Sequence, residues 1–225
     1  MFSNSVYSCD SKLIKMKLAI IGGTGKTGKE LLKQGLEAGH HITALVRNPK
    51  KVKIKHANLE VIQGNVLNTA DLEVIFKGKD AVLSALGHKR FLGPSNILSK
   101  GTENILQAMK TDEVSRFICI TSMGINDNRF KLGLYYTLFV IPFIVFFYFR
   151  DKARQERLIM DSDLNWTIVR PGQMINGKKR TRYRVGEKLG SYILTLMISR
   201  ADVAHFMLNQ LNGNKYSRKT VCLVA

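Results

Sequence analysis

Residues 16–47, MKLAIIGGTGKTGKELLKQGLEAGHHITALVR, contain the pattern from which the architecture of the chain follows. The apolar run at 18–21 predicts a buried strand, and apolar residues at helical spacing predict a helix over about 27–38. Gly39 ends this helix, and a second strand is predicted over 42–46. The three elements form a β-α-β unit of about 30 residues, which is the size of half a dinucleotide-binding domain.

Three glycines at a spacing of three, Gly22, Gly25 and Gly28, join the first strand to the helix. In a dinucleotide-binding loop, such glycines allow a sharp turn, a close approach of the backbone to a pyrophosphate, and tight packing of helix on strand. The free N–H groups and the dipole of the helix then hold the phosphate charge. The residues predicted to bind phosphate are Gly22, Thr24, Gly25, Lys26, Thr27 and Gly28, with the two threonine hydroxyls as additional donors.

Two other interpretations of this loop are weaker. A P-loop would need a glycine five residues before its Gly-Lys pair, and that position is Ile20. A glycine-rich turn without a ligand does not account for the strand before the loop, the helix after it and the strand beyond. The sequence therefore predicts a cofactor site.

The residues after the second strand indicate which cofactor binds. A carboxylate there would accept from the 2′-hydroxyl of NAD, whereas basic residues suit the 2′-phosphate of NADP. The chain has Arg47, Lys50 and Lys51, and it has no acidic residue between Gly39 and Leu59. A guanidinium binds a phosphate through two parallel hydrogen bonds, so NADP(H) is predicted over NAD(H). The alternative is a solvated basic loop.

The rest of the chain continues the alternation of strands and helices. Strands are predicted over 59–62, 80–84, 116–120, 166–169, 181–185 and 220–224, and helices over 71–76, 96–110, 151–160 and 201–211. The predicted fold class is α/β, a Rossmann-type doubly wound, mainly parallel sheet with helices on both faces and a small C-terminal elaboration on the substrate side. Ligands of such sheets bind beyond the carboxyl ends of the strands. One crevice is therefore expected, and the residues predicted around it include Asn65, Leu86, Gly87, Thr121 and Ser122.

Length and composition fit one domain over 16–225, preceded by a tail at 1–15 that is expected to be mobile. The tail lacks the apolar core of a signal peptide. The three cysteines are scattered without metal-ligand spacing, so no metal site is predicted and a reduced, cytoplasmic protein is expected.

The formal net charge of +18 is large, with basic clusters at 47–55 and 178–188. NADP(H) binding explains part of the first cluster. The remaining charge fits a solvated surface, a contact with anionic membrane headgroups or weak nucleic-acid binding. The chain has no helix-turn-helix, zinc-finger or base-stacking motif, so a nucleic-acid partner is not expected.

Five segments together resemble the atypical short-chain dehydrogenase/reductase superfamily: GGTGKTG at 22–28, Arg47, GNVLN at 64–68, ITSMG at 120–124 and DLNWTIVRPG at 163–172. Within it, residues 16–225 are similar to the NADPH-binding proteins of the biliverdin reductase B (flavin reductase) and NmrA-like groups. The resemblance implies that the glycine loop, Arg47, Asn65 and Val66 hold the cofactor. A turn at residues 170–172 is expected to bring the chain back over the cofactor, with Pro171 as a contact. Asn65 stands where the family usually has aspartate, so weakened recognition of the adenine amino group is expected. Arg170 is expected to anchor the structure rather than to act in catalysis.

Three residues are candidates for catalysis. Ser122 follows the fifth strand, where the superfamily has its catalytic serine or threonine. Tyr148 and Lys152 have the Tyr-x-x-x-Lys spacing, which places both side chains on one face of a helix. The tyrosine would give a proton to a carbonyl, and the lysine would orient the phenol and the nicotinamide ribose. The alternative is a tyrosine of an apolar run that precedes a lysine by chance, in which case Lys152 alone would lie near the nicotinamide.

That apolar run, 132–149, has eighteen residues without a charge, the minimum length for a membrane span. It lies inside the predicted sheet topology, where a span would separate the two halves of one sheet. We therefore predict a substrate-side lid of two short helices over about 130–150. Its apolar surface would meet an aromatic ligand, a homodimer partner or an anionic membrane surface.

Three functions follow from these observations. The first is an NADPH-dependent oxidoreductase that transfers hydride to a flat conjugated acceptor such as a flavin, quinone or tetrapyrrole. The second is a non-catalytic NADP(H)-binding sensor or scaffold, either free in the cytoplasm or peripheral at a membrane surface. The third is an epimerase or dehydratase of nucleotide sugars, for which the chain is short. A monomer and a homodimer both fit the sequence.

Overall fold

A computed structural model describes residues 14–88, 91 and 93–225. Its strands are β1 (Lys17–Ile21), β2 (His41–Val46), β3 (Leu59–Gln63), β4 (Ala81–Ser84), β5 (Arg116–Ile120), β6 (Asn165–Pro171), β7 (Gln173–Ile175), β8 (Arg184–Gly186), β9 (Met197–Ser199) and β10 (Lys219–Val224). Its α-helices are α1 (Lys26–Glu37), α2 (Thr69–Phe76), α3 (Ile97–Thr111), α4 (Ile141–Phe143), α5 (Phe146–Met160) and α6 (Arg200–Asn209). The prediction of a mobile tail falls largely on residues 1–13, which lie outside the described residues.

The main sheet has eight strands in the order β3-β2-β1-β4-β5-β6-β10-β8. All neighbours pair in parallel except β8, which runs antiparallel to β10 at the edge. The strand order reverses direction between β1 and β4, and this switch point is where a doubly wound sheet opens a crevice for a ligand. The predicted fold class is confirmed.

Helices cover both faces of the sheet. Alternate residues of β1 divide between the faces, as the two-residue period of a strand requires. Leu18 and Ile20 pack in the core cluster shared with α1 and α6, whereas Ala19 and Ile21 pack in the cluster shared with α2, α3 and α5. The small C-terminal elaboration consists of β8 and of a separate pair of parallel strands, β7 and β9.

Two element boundaries differ from the sequence predictions for identifiable reasons. Helix α2 begins two residues before the predicted start because the side chain of Asn68 accepts a hydrogen bond from the amide of Ala70 and caps it. The small strand predicted over 181–185 is observed only at Arg184–Gly186. The amides of Arg180 and Thr181 donate to a carboxylate oxygen of Asp202 at 2.8 and 2.9 Å, so that α6 holds this part of the chain away from the sheet.

The apolar run 132–149 contains a π-helical turn at Tyr136–Val140, the short helix α4 and the beginning of α5. The prediction of two short helices is therefore wrong in its second half. The helix predicted over 151–160 begins at Phe146, because the amide of Phe149 already donates to the carbonyl of Val145 at 2.8 Å. Across the described residues, the structure has no helix of sufficient length and apolar character to cross a membrane.

Candidate functional site

The glycine loop turns sharply between β1 and α1. Gly22 has a φ of +82°, and its carbonyl accepts from the amide of Gly25 at 2.9 Å. A Cβ added to Gly22 would lie 2.5 Å from the carbonyl oxygen of Ala85 at the end of β4. A Cβ added to Gly28 would overlap the carbonyl oxygen of Gly22. The backbones of the loop, of α1 and of the β4 end are thus in contact, and side chains are excluded between them.

Helix α1 begins without a cap. Within the described part of the chain, no side chain caps the helix at Gly25, and the first turn of α1 has no acidic residue. The first helical bond runs from the amide of Lys29 to the carbonyl of Gly25, so the amides of Lys26, Thr27 and Gly28 have no helical partner. Side-chain oxygens cap α2 and α6, and the carboxylate of Asp151 accepts from two amides at the start of α3. The donors of α1 therefore fit an anion such as a pyrophosphate.

The two threonines of the loop differ in their surroundings. The hydroxyl of Thr27 is buried and lies 3.7 Å from the sulfur of Met174. Thr24 is partly exposed, and no hydrogen bond is found for its side chain among the residues the structure describes. The hydroxyl of Thr24 is thus the more accessible of the two predicted phosphate donors.

The basic loop after β2 lies beside the glycine loop. Strand β2 pairs with β1 in parallel, so the two strands end at the same edge. Arg47, Lys50 and Lys51 are exposed, and their side chains make no hydrogen bond or ion pair within the described part of the chain. A hollow of about 80 Å³ separates the two loops and is lined by Gly23, Lys29, Leu32, Val52, Lys53 and Ile54. Among the described residues, the positive charge of the basic loop is thus not paired, and it lies next to the glycine loop.

Asn65 and Val66 follow β3 on the same edge of the sheet. The side-chain oxygen of Asn65 accepts from the amide of Leu67 at 3.1 Å, and its backbone amide donates to Asp71 at 2.7 Å. Val66 is buried, and its carbonyl accepts from the side chain of Asn104 at 3.1 Å. The amide oxygen predicted to receive an adenine amino group thus already stabilises a local turn, and its role in binding stays a prediction.

Tyr148 faces the end of β4. Its hydroxyl lies 3.5 Å from the position that a Cβ on Gly87 would occupy. Its ring makes edge contacts with the rings of His88 at 4.9 Å and Phe91 at 5.4 Å between centroids. Leu86, also predicted to lie at the crevice, is partly buried against α3 near Gly101. The structure therefore brings Tyr148 to the same strand end that contacts the glycine loop.

Lys152 lies one turn after Tyr148 on α5, as the spacing predicts. The residue is only 4% exposed, and its ammonium stands 5.3 Å from the centroid of the Tyr148 ring. Among the described residues, no carboxylate, carbonyl or hydroxyl pairs with this ammonium. A buried cation without a hydrogen-bonding partner is costly, so Lys152 is suited to hold an oxygen of a ligand.

A buried ionic cluster behind the crevice contains Glu156, which the sequence did not single out. Its carboxylate accepts from Arg170 at 2.6 and 2.9 Å, from Thr121 at 2.6 Å and from Asn126 at 2.8 Å. Arg170 also pairs with Asp127 at 2.6 Å. Burial lowers the pKa of Arg170, but its bonds to Glu156 and Asp127 and their charges outweigh burial and raise the pKa above its usual value. Arg170 is thus the structural anchor that was expected.

The buried hydroxyl of Thr121 donates to the carboxylate of Glu156. The amide of Thr121 donates to the carbonyl of Val169, so both donors of this residue already have partners within the fold. The contact of Thr121 with the cofactor stays a prediction.

Ser122 and Pro171 lie together at the ends of β5 and β6. The hydroxyl of Ser122 donates to the carbonyl of Met123 at 2.9 Å, and the amide of Met123 donates to the carbonyl of Pro171 at 3.1 Å. The next residue, Gly124, approaches the ring of Phe149 on α5. The loop of Ser122 is thus close to the lid, although no direct contact joins its hydroxyl to Tyr148 or Lys152.

An apolar cleft adjoins Tyr148, because Phe91 lines the cleft and contacts the Tyr148 ring. Its volume is about 350 Å³, within the lower range of small-molecule sites. The lining residues are Phe91, Gly93, Pro142, Phe143, Ile144, Phe146 and Phe147. Phe91 contacts both this cleft and the Tyr148 ring, so the cleft and the tyrosine form one continuous region.

The sequence profile of the NAD(P)H-binding family matches residues 22–214. An uncharacterized chloroplast protein of Arabidopsis thaliana is 28% identical over 173 residues, which are 71% of this chain and 60% of that protein. Protein TIC 62 of Pisum sativum is 27% identical over 178 residues, 69% of this chain and 32% of that protein. The chain thus spans only about a third to three fifths of the length of these relatives.

Solved structures share the fold at low sequence identity. A short-chain dehydrogenase/reductase from Veillonella parvula in complex with NADP superposes with a TM-score of 0.77 at 17% identity, covering 94% of this chain and 95% of that chain. An anaerobillin reductase from Escherichia coli O157:H7 also has a TM-score of 0.77 at 17% identity, covering 92% of this chain and 96% of that chain. These matches, together with the family match, confirm the resemblance seen in the sequence motifs.

Proposed function

The chain belongs to the NAD(P)H-binding family, and on that premise we propose that it is an NADPH-dependent oxidoreductase that transfers hydride to a flat conjugated acceptor of the flavin, quinone or tetrapyrrole type. The observation that carries this proposal is the pair of Tyr148 and Lys152 at the end of β4. The buried ammonium of Lys152 has no polar partner among the described residues and lies 5.3 Å from the centre of the Tyr148 ring, whose hydroxyl is close to Gly87 and whose edge contacts Phe91 of the apolar cleft.

Each group of residues has a role in this proposal. The uncapped start of α1 would hold the diphosphate, and Arg47 with Lys50 and Lys51 would hold the 2′-phosphate. The bound cofactor supplies the hydride. The ammonium of Lys152 would bind a ribose hydroxyl and keep the phenol in place, and the Tyr148 hydroxyl would donate a proton to the acceptor.

The choice of acceptor rests on the cleft. Its walls are mainly aromatic rings, which pack against a planar conjugated molecule at favourable ring distances. The volume of about 350 Å³ suits one ring system of moderate size. A nucleotide sugar would need a more polar wall, which this cleft does not offer.

The proposal is tested by NADPH oxidation with a panel of flavins, quinones and biliverdin. We expect turnover with at least one acceptor, and a decrease in kcat of about 100-fold or more in Lys152→Met and in Tyr148→Phe, since a positioned proton donor contributes a factor of this order. A decrease in kcat in Ser122→Ala would assign a role in turnover to Ser122, the third candidate for catalysis. Lys110→Met and Tyr192→Phe, which change exposed residues outside the crevice, are the matched controls. Absence of turnover with the whole panel would contradict the proposal.

Cofactor preference gives a separate prediction. Replacing Arg47 with alanine is expected to raise the Kd for NADPH by about 10- to 100-fold, since a charge-assisted hydrogen bond contributes about 1.5–3 kcal/mol. The Kd for NADH should not change. Both constants are measured by calorimetric titration, with Arg157→Ala on the exposed surface of α5 as the control. An equal loss for the two cofactors would show that Arg47 does not bind the 2′-phosphate.

A second function, a non-catalytic NADP(H) sensor or scaffold, is favoured by one observation. The Tyr148 ring packs between His88 and Phe91, as a structural aromatic residue does. Such a protein would bind NADPH tightly and oxidise none of it with any acceptor of the panel. The same experiment thus separates the two functions.

A further inference from the structure

The lid and a neighbouring loop together form an exposed apolar face. Its most prominent residues are Leu134, Tyr135, Phe139, Tyr192, Ile193 and Leu194. Phe139 is 58% exposed and Ile193 is 75% exposed, whereas a soluble surface normally places large apolar side chains singly. None of these residues lines the cleft beside Tyr148. The apolar face is therefore not explained by the proposed reaction.

Backbone hydrogen bonds join the two parts of this face. The amide of Ser191 donates to the carbonyl of Lys131, and the amide of Gly133 donates to the carbonyl of Ser191, each at 3.0 Å. The amide of Leu134 donates to the carbonyl of Ile193 at 3.2 Å. Residues separated by about sixty positions in the sequence therefore present their apolar side chains from a single, backbone-linked unit.

The chain segments that build the face are strongly basic. Residues 128–150 contain three basic residues and no acidic residue, and residues 176–200 contain seven basic residues and one acidic residue. The carboxylate that directly precedes the lid, Asp127, is bound to Arg170. The ammonium of Lys131 donates to the carbonyl of Lys188 at 3.1 Å, so both segments bring positive charge to the border of the apolar face. Among the described residues, neither Lys131 nor Lys188 forms an ion pair.

We propose that the apolar face docks on an anionic phospholipid bilayer. Exposed aromatic and aliphatic side chains next to basic residues are the combination that binds at the boundary between headgroups and acyl chains. The apolar side chains would enter this boundary, and the basic residues would contact the anionic headgroups. A second copy of the chain fits less well, because a symmetric contact would bring the same positive borders together.

The location of this face relies on neither NADPH binding nor turnover, so the inference goes beyond the proposed function. Helix α5 begins in the lid and carries Tyr148 and Lys152, so a bilayer on the apolar face would lie next to the cleft. An acceptor dissolved in the membrane would then have a short path to the tyrosine.

Vesicle co-sedimentation tests the docking. We expect the protein to sediment with vesicles of phosphatidylcholine and phosphatidylserine at low salt, and not with vesicles of phosphatidylcholine alone. Added salt should release it, because the headgroup contacts are screened. The double variant Phe139→Ser/Ile193→Ser should bind about tenfold or more weakly, as expected from the loss of two inserted apolar side chains. Val74→Ser, which changes an exposed apolar residue of α2, is the matched control.

The other outcomes overturn the inference. Equal binding of the double variant and the wild type would show that the apolar face does not contact lipid. Absence of binding to anionic vesicles would exclude the bilayer, and a dimer in light scattering that the double variant dissociates would then assign the face to a second copy. NADPH affinity and the unfolding midpoint of the variants, measured in parallel, separate loss of docking from loss of the fold or of the proposed function.

Discussion

Replacing Gly28 with alanine is expected to destabilise the folded chain by about 3 kcal/mol and to remove measurable NADPH binding. The added Cβ would overlap the carbonyl oxygen of Gly22 and would lie 2.8 Å from the carbonyl carbon of Gly22 and from the Cα of Gly23. All three atoms belong to the backbone, so no side-chain rotation relieves the overlap. The loop would have to move away from α1, and the free amides at the start of that helix would lose their arrangement. Urea unfolding and calorimetric titration measure the two effects.

Two other glycines provide controls for this prediction. Gly213→Ala should leave stability and binding unchanged, since the nearest atom to the added Cβ is 4.0 Å away. Gly25→Ala should fold, because its Cβ meets only one atom, the Gly22 carbonyl oxygen, at 3.2 Å, and its φ of −70° suits any residue. It should still weaken NADPH binding, since the methyl group would occupy the approach to the diphosphate. A Gly28→Ala protein with wild-type stability and affinity would contradict the description of the loop.

Removing Glu156 is expected to have a comparably large effect on stability. Glu156→Ala takes away the acceptor of Arg170, Thr121 and Asn126, and Glu156, Arg170 and Thr121 are buried. Arg170 is 2% exposed, and it would keep only its bond to Asp127, whose side chain is largely exposed. Breaking a buried ion pair in this way typically costs about 3–5 kcal/mol, because the remaining charge stays buried. The free energy of unfolding, obtained from urea denaturation, measures the loss.

Two other variants provide reference values for the loss of stability in Glu156→Ala. Glu156→Gln preserves the volume and two polar atoms, so it should be less destabilising than alanine. Glu103→Ala removes a carboxylate that pairs with Lys100 at the surface of α3, and it should cost less than about 1 kcal/mol. If Glu156→Ala were no more destabilising than Glu103→Ala, the cluster would not stabilise the ends of β5 and β6.

The sequence predicted the sheet well because its central strands are buried on both faces. The strands β1, β2 and β5 are recognisable as short apolar runs in the sequence. The glycine loop between β1 and α1 then identified the β-α-β unit that ends with β2. The ends of helices and strands were harder to predict, because they depend on contacts between residues that are distant in the sequence. The shortened strand at Arg184–Gly186 follows from the bond of Thr181 to Asp202, which no local pattern reveals.

In the candidate site, too, local spacing could be predicted from the sequence, whereas contacts between distant residues could not. The spacing of Tyr148 and Lys152 correctly predicted one helical face, but whether that face meets the crevice depends on α5 beginning inside the apolar run. Glu156 could not be singled out, because its partners Thr121 and Arg170 lie 35 and 14 residues away in the sequence. Its position, one helical turn after Lys152 on α5, was the only available signal, and a polar helix offers many such carboxylates.

Stereospecific deuterium transfer tests the central claim, hydride transfer at the Tyr148–Lys152 end of the crevice, most directly. NADPH carrying deuterium on either face of the nicotinamide C4 is oxidised with the best acceptor of the panel, and the NADP product is analysed by mass spectrometry. The account predicts that one labelled form loses its deuterium completely and the other retains it, because a fixed nicotinamide presents one face to the acceptor. Equal loss from both forms, or bound NADPH that no acceptor oxidises, would contradict it.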